Sequence, residues 1–199
     1  MDWRIFHAVN QFAGDHRLLA HGIYGFETIG VGLFAAAVLV LWLAAAPGEE
    51  RGLKFAALSG AASATLALLI NQVIGRVWHR PRPYQSHVHV YHLTHSHDPS
   101  FPSDHASAAF GIAFGIYTFD RRVGRVFIAI AALIAAGRVV IGAHYLSDVL
   151  ASLVVAVVAA ALVARFGKPL LYRAVVLLER LTDPLVRGLH ERHARRSRT

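Results

Sequence analysis

The sequence predicts an all-α integral membrane protein, a bundle of about five transmembrane helices with amphipathic helices at its amino and carboxyl ends. Of its 199 residues, 55% are hydrophobic and only 16% are charged, and the mean hydropathy is +0.46. This composition is too apolar for an ordinary soluble domain. The apolar residues fall into runs of about 20, the length that crosses a bilayer. One membrane-embedded domain over residues 1–199 accounts for the whole chain.

Each element has its own justification in the sequence. Residues 1–17 alternate apolar and polar side chains and lack a signal-peptide pattern, which indicates an amphipathic interfacial helix. The second apolar run is rich in small residues, which favour close helix packing in lipid. Residues 168–187 mix leucines and valines with charged side chains, so we expect a surface helix there. The five predicted spans cover about 23–46, 53–77, 103–119, 126–141 and 149–166.

The charge distribution favours a membrane surface over nucleic acid as the partner of the basic residues. The formal net charge is +8, but nine of the 20 Lys and Arg residues lie between Arg165 and Arg198. A basic cytoplasmic tail over about 167–199, facing the membrane surface, explains this better than binding to nucleic acid. The absence of cysteine excludes disulfides, thiolate metal sites and cysteine nucleophiles. We expect no cofactor and no resident metal, and the oligomeric state is left open.

The basic loops predict an orientation. Arg121, Arg122 and Arg125 and the tail should stay in the cytoplasm. With five spans, the loop at 76–102 and the turn before the fifth span then share the outer face. The arginines in that loop violate the inside preference, so we expect them to bind an anion.

A histidine and a carboxylate precede the fifth span. His144 and Asp148 are four residues apart and share a helix face. A carboxylate so placed can hold one ring nitrogen, which leaves the other free as a nucleophile or base. Arg138 can fork onto two phosphoryl oxygens; the alternative is a structural ion pair or a side chain that reaches the interface.

A second polar group opens the third span. Pro102, Ser103, Asp104 and His105 precede an Ala-rich run, and taken alone they indicate a helix cap. In combination with the other clusters, the helix amino terminus would offer N–H groups to a phosphate. His105 would then protonate a departing oxygen.

Two further features carry charge near these groups. Arg80 and Arg82 alternate with prolines, which stiffen the backbone, and either bind a substrate anion or contact anionic lipid head groups. Glu27 lies inside the first span, where an ionisable group needs a cavity or a partner. We expect it to pair with an outer arginine or to line the lipid entrance.

Five histidines crowd the loop between the second and third spans. They could gather around a divalent ion, or belong to a solvated loop near anionic lipid, which we favour. These residues are His87, His89, His92, His95 and His97.

The order and spacing of the clusters resemble the type 2 phosphatidic acid phosphatase superfamily. Its three motifs are Lys, six residues, then Arg-Pro; Pro-Ser-x-His; and Ser-Arg, five residues, His, three residues, Asp. The matching positions are Arg82 and Pro83; Pro102, Ser103 and His105; and Arg138, His144 and Asp148. Three positions depart from the pattern. Gly75 stands for the lysine, with Arg76 next to it; Asp104 stands for a glycine; and Gly137 stands for a serine.

Residues 2–10, 71–75 and 100–105 are similar to those of bacitracin-resistance-type undecaprenyl-diphosphate phosphatases. This resemblance implies a phosphatase in the bacterial cytoplasmic membrane that recycles the cell-wall lipid carrier from an outer-face site. It also implies attack by His144, oriented by Asp148, with His105 as the acid and a phosphohistidine intermediate. The predicted substrate-binding residues are Arg82, Ser103, Arg138, Arg76, Arg80, Asp104 and Glu27.

Two alternatives stay open. One is a broader phosphatase acting on phosphatidic acid or phosphatidylglycerol phosphate. The other is a non-catalytic phospholipid transporter. The His144 and Asp148 pair argues against the transporter, because binding needs only cations whereas attack needs an oriented imidazole.

Overall fold

The computed structural model describes residues 2–45 and 51–196, with side chains described over 2–45 and 52–184. Within these ranges every regular element is a helix, as the composition predicts. The helices are α1 (Asp2–Asp15), α2 (Arg17–Ala44), α3 (Arg51–Val77), α4 (Pro83–Ser86), α5 (Asp104–Tyr117), α6 (Arg121–Val140), α7 (Leu146–Phe166) and α8 (Lys168–Arg196).

Four helices in the described part of the chain are long and apolar enough to cross a membrane: α2, most of α3, α6 and α7. They correspond to the first, second, fourth and fifth predicted spans; Ala46, the last residue predicted for the first span, lies outside the described residues. Large apolar side chains on their outer faces, such as Leu39, Val73 and Val154, are more than half exposed. In a multi-pass membrane protein, these faces contact lipid.

The third predicted span is the shorter helix α5, which has 14 residues. At about 1.5 Å per residue it reaches roughly 21 Å, less than the ~30 Å of a hydrocarbon core. It packs against α3, α6 and α7, and most of its residues are buried. Neighbouring helices therefore cover α5, and it needs less contact with lipid than the other four.

Small residues allow α3 and α5 to touch through their backbones. A Cβ added at Gly111 would lie 2.7 Å from the Cα of Ala64, and one at Gly115 would lie 2.5 Å from the carbonyl oxygen of Ser59. No larger residue fits at either position without moving a helix. This contact fixes the amino end of α5 beside the carboxyl end of α3, where the polar clusters lie.

At the opposite end of the bundle, α8 is held by a buried polar cluster. Lys54 Nζ lies 3.2 Å from Glu179 Oε1 and 2.8 Å from Asp183 Oδ1, and Trp42 donates to the Thr182 hydroxyl at 3.1 Å. The predicted carboxyl-terminal helix is thus an amphipathic helix packed against α3 and α7.

Candidate active site

The three predicted clusters meet at one end of the bundle. There α3 ends, α5 begins and a short turn joins α6 to α7. A cavity of about 300 Å³ opens at this end, and Glu27, Arg82, His105, Arg138 and His144 are among its lining residues. Residues far apart in the sequence therefore share one polar cavity.

The turn between α6 and α7 presents His144. Gly142 has a φ of +78°, and a Cβ there would lie 2.3 Å from the carbonyl oxygen of Tyr91. Only glycine satisfies both the conformation and the close approach. The turn is packed beneath the histidine-rich loop, and the His144 side chain is only 2% exposed. Its ring is consequently fixed in position.

The hydrogen bonds of His144 define the roles of its two ring nitrogens. Nδ1 lies 2.7 Å from the carbonyl oxygen of Ser100, which can only accept, so Nδ1 carries the proton. Nε2 lies 3.2 Å from Arg82 Nη1, which can only donate. Nε2 therefore has the lone pair, the arrangement that a nucleophilic imidazole requires.

The expected direct hydrogen bond between Asp148 and His144 is replaced by a bridge through Ser100. The Asp148 carboxylate is 3.8 Å from Nδ1 of His144. Its Oδ2 atom instead accepts from the Ser100 hydroxyl at 2.6 Å and from the backbone N–H of Tyr145 at 2.9 Å. Asp148 lies in the first turn of α7, where capping the helix engages this oxygen. No pattern in the sequence signalled that the Ser100 carbonyl orients the ring.

Burial and charge keep His144 neutral. Desolvation, together with the charges of Arg138 and Arg82, lowers the pKa of His144 to about 4, and Asp148 opposes this shift. Burial, together with Arg138, His144 and Arg82, also lowers the pKa of His105 to about 4. The negative charge of an incoming phosphate would oppose the effect of these arginines on the pKa of both rings.

Arg82 is a buried arginine beside the nucleophile. Its Nε donates to the carbonyl oxygen of Asp98 at 3.0 Å and its Nη1 donates to that of Ala143 at 3.3 Å. The side chain lines the cavity. Arg82 lies next to His144, where its charge can stabilise a phosphoryl oxygen.

Arg138 pairs with Glu27, as expected for an ionisable residue inside a span. Arg138 Nη1 donates to Oε1 and Oε2 of Glu27 at 2.6 and 2.7 Å, and both side chains are buried. Arg138 Nε is buried and has no hydrogen-bond partner among the described residues. Glu27 thus holds one edge of the guanidinium and leaves an N–H group for an anion.

Arg80 lies outside the cavity, paired with two carboxylates, and its role in substrate binding stays a prediction. Its Nη1 donates to Asp148 Oδ1 at 2.6 Å and its Nη2 donates to Asp2 Oδ2 at 2.7 Å. It is absent from the residues that line the cavity. The positive charge of Arg80 is thus paired with two carboxylates in the structure.

The start of α5 contains a helix cap and two residues that line the cavity. Ser103 is a buried cap whose hydroxyl accepts from Ala106 N at 3.5 Å. It does not line the cavity, and its contact with substrate stays a prediction. His105 and Asp104 do line it. Asp104 Oδ1 accepts from the Asn71 side chain at 2.7 Å. The first turn of α5 also directs N–H groups and positive partial charge toward this end of the bundle.

Arg76, next to the position of the missing lysine, does not line this cavity. It lines a neighbouring cavity of about 240 Å³ together with His79, and Asp104 lines both cavities. Gly75, the position of the missing lysine, lines the same neighbouring cavity. A Cβ at Gly75 would lie 3.8 Å from Pro99, which lines both cavities.

The loop histidines take part in aromatic stacking. The rings of His87 and Trp3 are 3.6 Å apart, and those of His92 and Tyr84 are 4.6 Å apart. Across the part of the chain that the structure describes, no three His, Cys, Asp or Glu side chains gather as metal ligands. The stacking gives the loop a structural role over the site.

Comparison with known proteins gives a consistent result. Residues 56–171 match the family model of the PAP2 superfamily. The chain is 29% identical over 189 residues to the undecaprenyl-diphosphatase BcrC of Bacillus subtilis (strain 168), and the alignment covers 95% of each protein.

Two solved structures share the fold. The crystal structure of Aquifex aeolicus LpxE has a TM-score of 0.68 and 20% identity, covering 82% of this chain and 94% of that one. A PAP2-type phosphatidylglycerolphosphate phosphatase from Bacillus subtilis has a TM-score of 0.59 and 20% identity, covering 84% of this chain and 86% of that one.

Proposed function

Because the chain belongs to the PAP2 superfamily and is a membrane lipid phosphatase, we propose that it hydrolyses undecaprenyl diphosphate to undecaprenyl phosphate and phosphate. The relative named for this activity aligns over 95% of both chains. The reaction would return the lipid carrier of cell-wall precursors for reuse.

The geometry of His144 carries this proposal. Binding a phosphate needs only cations, but here Nδ1 is committed to the Ser100 carbonyl and Nε2 bears the lone pair beside Arg82. A neutral imidazole held in one tautomer is the requirement of nucleophilic attack. This observation favours a phosphatase over a phospholipid transporter that only holds the head group.

The mechanism follows from this arrangement. Nε2 of His144 attacks the terminal phosphorus, forming an N–P bond while the bond to the bridging oxygen breaks. The electron pair leaves with undecaprenyl phosphate, and His105 donates a proton to it. Water then attacks the phosphohistidine, breaks the N–P bond and gives its proton to His105.

The arginines act on the charge of the transferred group. Arg82 Nη1 hydrogen-bonds Nε2 before substrate binds, so an arriving phosphoryl oxygen takes over this donor and frees the lone pair. Arg138 offers its Nε, which has no hydrogen-bond partner in the described part of the chain. Fixed donors of this kind stabilise the equatorial oxygens in the transition state.

The proposed location is the outer face of the bacterial cytoplasmic membrane, with one domain and a cytoplasmic tail. Its support is the charge at the other end of the bundle, where Arg121 and Arg122 begin α6 and Lys168 begins α8. Because the chain has no cysteine, single-cysteine variants test the proposal. An impermeant maleimide should label His97→Cys in intact cells and spare Arg122→Cys; the reverse pattern would invert the topology.

Phosphate release from a panel of lipids tests the substrate. We expect undecaprenyl diphosphate to be hydrolysed faster than phosphatidic acid or phosphatidylglycerol phosphate, with or without chelator. His144→Ala should lose about 10³-fold or more of the activity, whereas His97→Ala, an exposed histidine outside the cavity, should keep it. Faster release from phosphatidic acid would reject the substrate, and normal turnover by His144→Ala would reject the mechanism.

A further inference from the structure

The amino-terminal helix is packed against the turn that carries the nucleophile. Phe6 of α1 is fully buried, and its ring lies 5.5 Å from that of Tyr145. Asn10 donates to the Tyr91 carbonyl oxygen at 2.6 Å and accepts from the Tyr91 N–H at 2.9 Å. Helix α1 is therefore docked on the site by apolar and polar contacts.

The first residue of α1 reaches the catalytic carboxylate through Arg80. Asp2 Oδ2 accepts from Arg80 Nη2 at 2.7 Å, and Arg80 Nη1 donates to Asp148 Oδ1 at 2.6 Å. Asp2 also accepts from the backbone N–H of Ser147 at 3.2 Å. A single guanidinium thus joins a carboxylate of α1 to one of α7.

Two further neighbours, besides Asp2 and Asp148, restrict the Arg80 side chain. Its Nη1 also donates to the Ser147 hydroxyl at 2.6 Å, and its guanidinium lies 4.1 Å from the centre of the Tyr145 ring. Burial would raise the pKa of Asp2, but hydrogen bonds from Ser147 and Arg80 outweigh it, so the pKa of Asp2 is lowered. Asp2 is consequently ionised and holds Arg80 at neutral pH.

The chain of contacts ends at the imidazole. Asp148 is fully buried, so its charge needs compensation, which Arg80 supplies. The other oxygen of Asp148 accepts from Ser100, and the Ser100 carbonyl accepts from His144. A shift of Arg80 would therefore move the groups that orient the nucleophile.

We propose that Asp2 is a positioning residue of the phosphatase site, acting through Arg80 on Asp148, and that α1 is part of the catalytic unit. This inference rests on the proposed function. Asp2 lies outside residues 56–171, the part that the family model matches. With this role, the amino-terminal region of the chain would also help to position the site.

Kinetics of Asp2→Asn test the proposal, with Asp15→Asn as the matched control because Asp15 is an exposed carboxylate on the same helix. We expect kcat of Asp2→Asn on undecaprenyl diphosphate to fall about tenfold with KM unchanged, since the substrate pocket is intact. Asp2→Glu should recover part of the loss, and Asp15→Asn should match the wild type. If Asp2 only stabilised the fold, its loss would reduce the amount of active enzyme, and Asp2→Glu would not recover kcat.

A double-mutant cycle with Arg80→Gln identifies the route. If Asp2 acts through Arg80, adding Asp2→Asn to Arg80→Gln should cause less than a twofold further loss. Losses that multiply, a wild-type kcat in Asp2→Asn, or an equal loss in Asp15→Asn would overturn the proposal. A wild-type protein that releases no phosphate from any lipid would instead reject the proposed function, and this inference with it.

Discussion

Replacing Glu27 by glutamine tests whether the buried ion pair stabilises the fold and compensates the charge of Arg138. Both carboxylate oxygens accept from Arg138 Nη1, at 2.6 and 2.7 Å. Glu27 is 0% and Arg138 5% exposed. Removal of one partner from a buried pair costs about 3–5 kcal/mol, and the amide oxygen of glutamine retains one charge-assisted hydrogen bond worth about 1.5–3 kcal/mol. We therefore expect Glu27→Gln to lose about 2 kcal/mol of folding free energy.

Thermal unfolding in a single detergent measures this loss. For a chain of this size, about 2 kcal/mol corresponds to a decrease in Tm of roughly 4–8 °C. Arg138 is then left with an uncompensated charge in the cavity, so inorganic phosphate should bind it more tightly. Saturating phosphate should raise the Tm of Glu27→Gln more than that of the wild type, because ligand binding stabilises the folded state.

The control for Glu27→Gln is Asp15→Asn, which removes an exposed carboxylate. This variant should keep the wild-type Tm with and without phosphate. If Glu27→Gln also matched the wild type in both conditions and in turnover, the ion pair would have no energetic role and the reasoning would be refuted.

Two further predictions concern the histidines. By NMR, the imidazole signal that disappears in His144→Ala should titrate near pH 4, because burial lowers its pKa from 6.5 to about 4; the neutral, nucleophilic form is lost only as the pH falls through that value, and a transition at 6.5 would contradict it. His105→Ala should slow phosphoenzyme formation about 10²–10⁴-fold with phosphatidic acid, whose leaving alcohol has a pKa near that of water, about 15.7. With a diphosphate the leaving phosphate has a pKa of about 6, so the loss should be much smaller; equal losses would exclude His105 as the acid.

Hydropathy and motif spacing predicted the helices and the meeting of the clusters. The ends of the apolar runs mark the ends of the helices, so they locate the turn at His144 and the start of α5. The partner of Glu27 was also predictable in kind, since a buried carboxylate in a span needs a cation. The contact with Arg138, 111 residues away, meets that need.

The hydrogen-bond partners in the loops were not predictable from the sequence. Arg80 and Arg82 look alike in the sequence, yet Arg82 lines the cavity while Arg80 joins Asp2 to Asp148. The difference depends on where α1 docks. The carbonyl of Ser100 is likewise backbone, which no residue pattern reveals.

Trapping the phosphoenzyme tests the role of His144 most directly. The purified protein would be mixed with undecaprenyl diphosphate labelled in its terminal phosphate, quenched in base during turnover, and digested for mapping. We predict base-stable, acid-labile label on the peptide that contains His144, and none in His144→Ala. Label on His105, or turnover by the wild type without any labelled residue, would contradict the account.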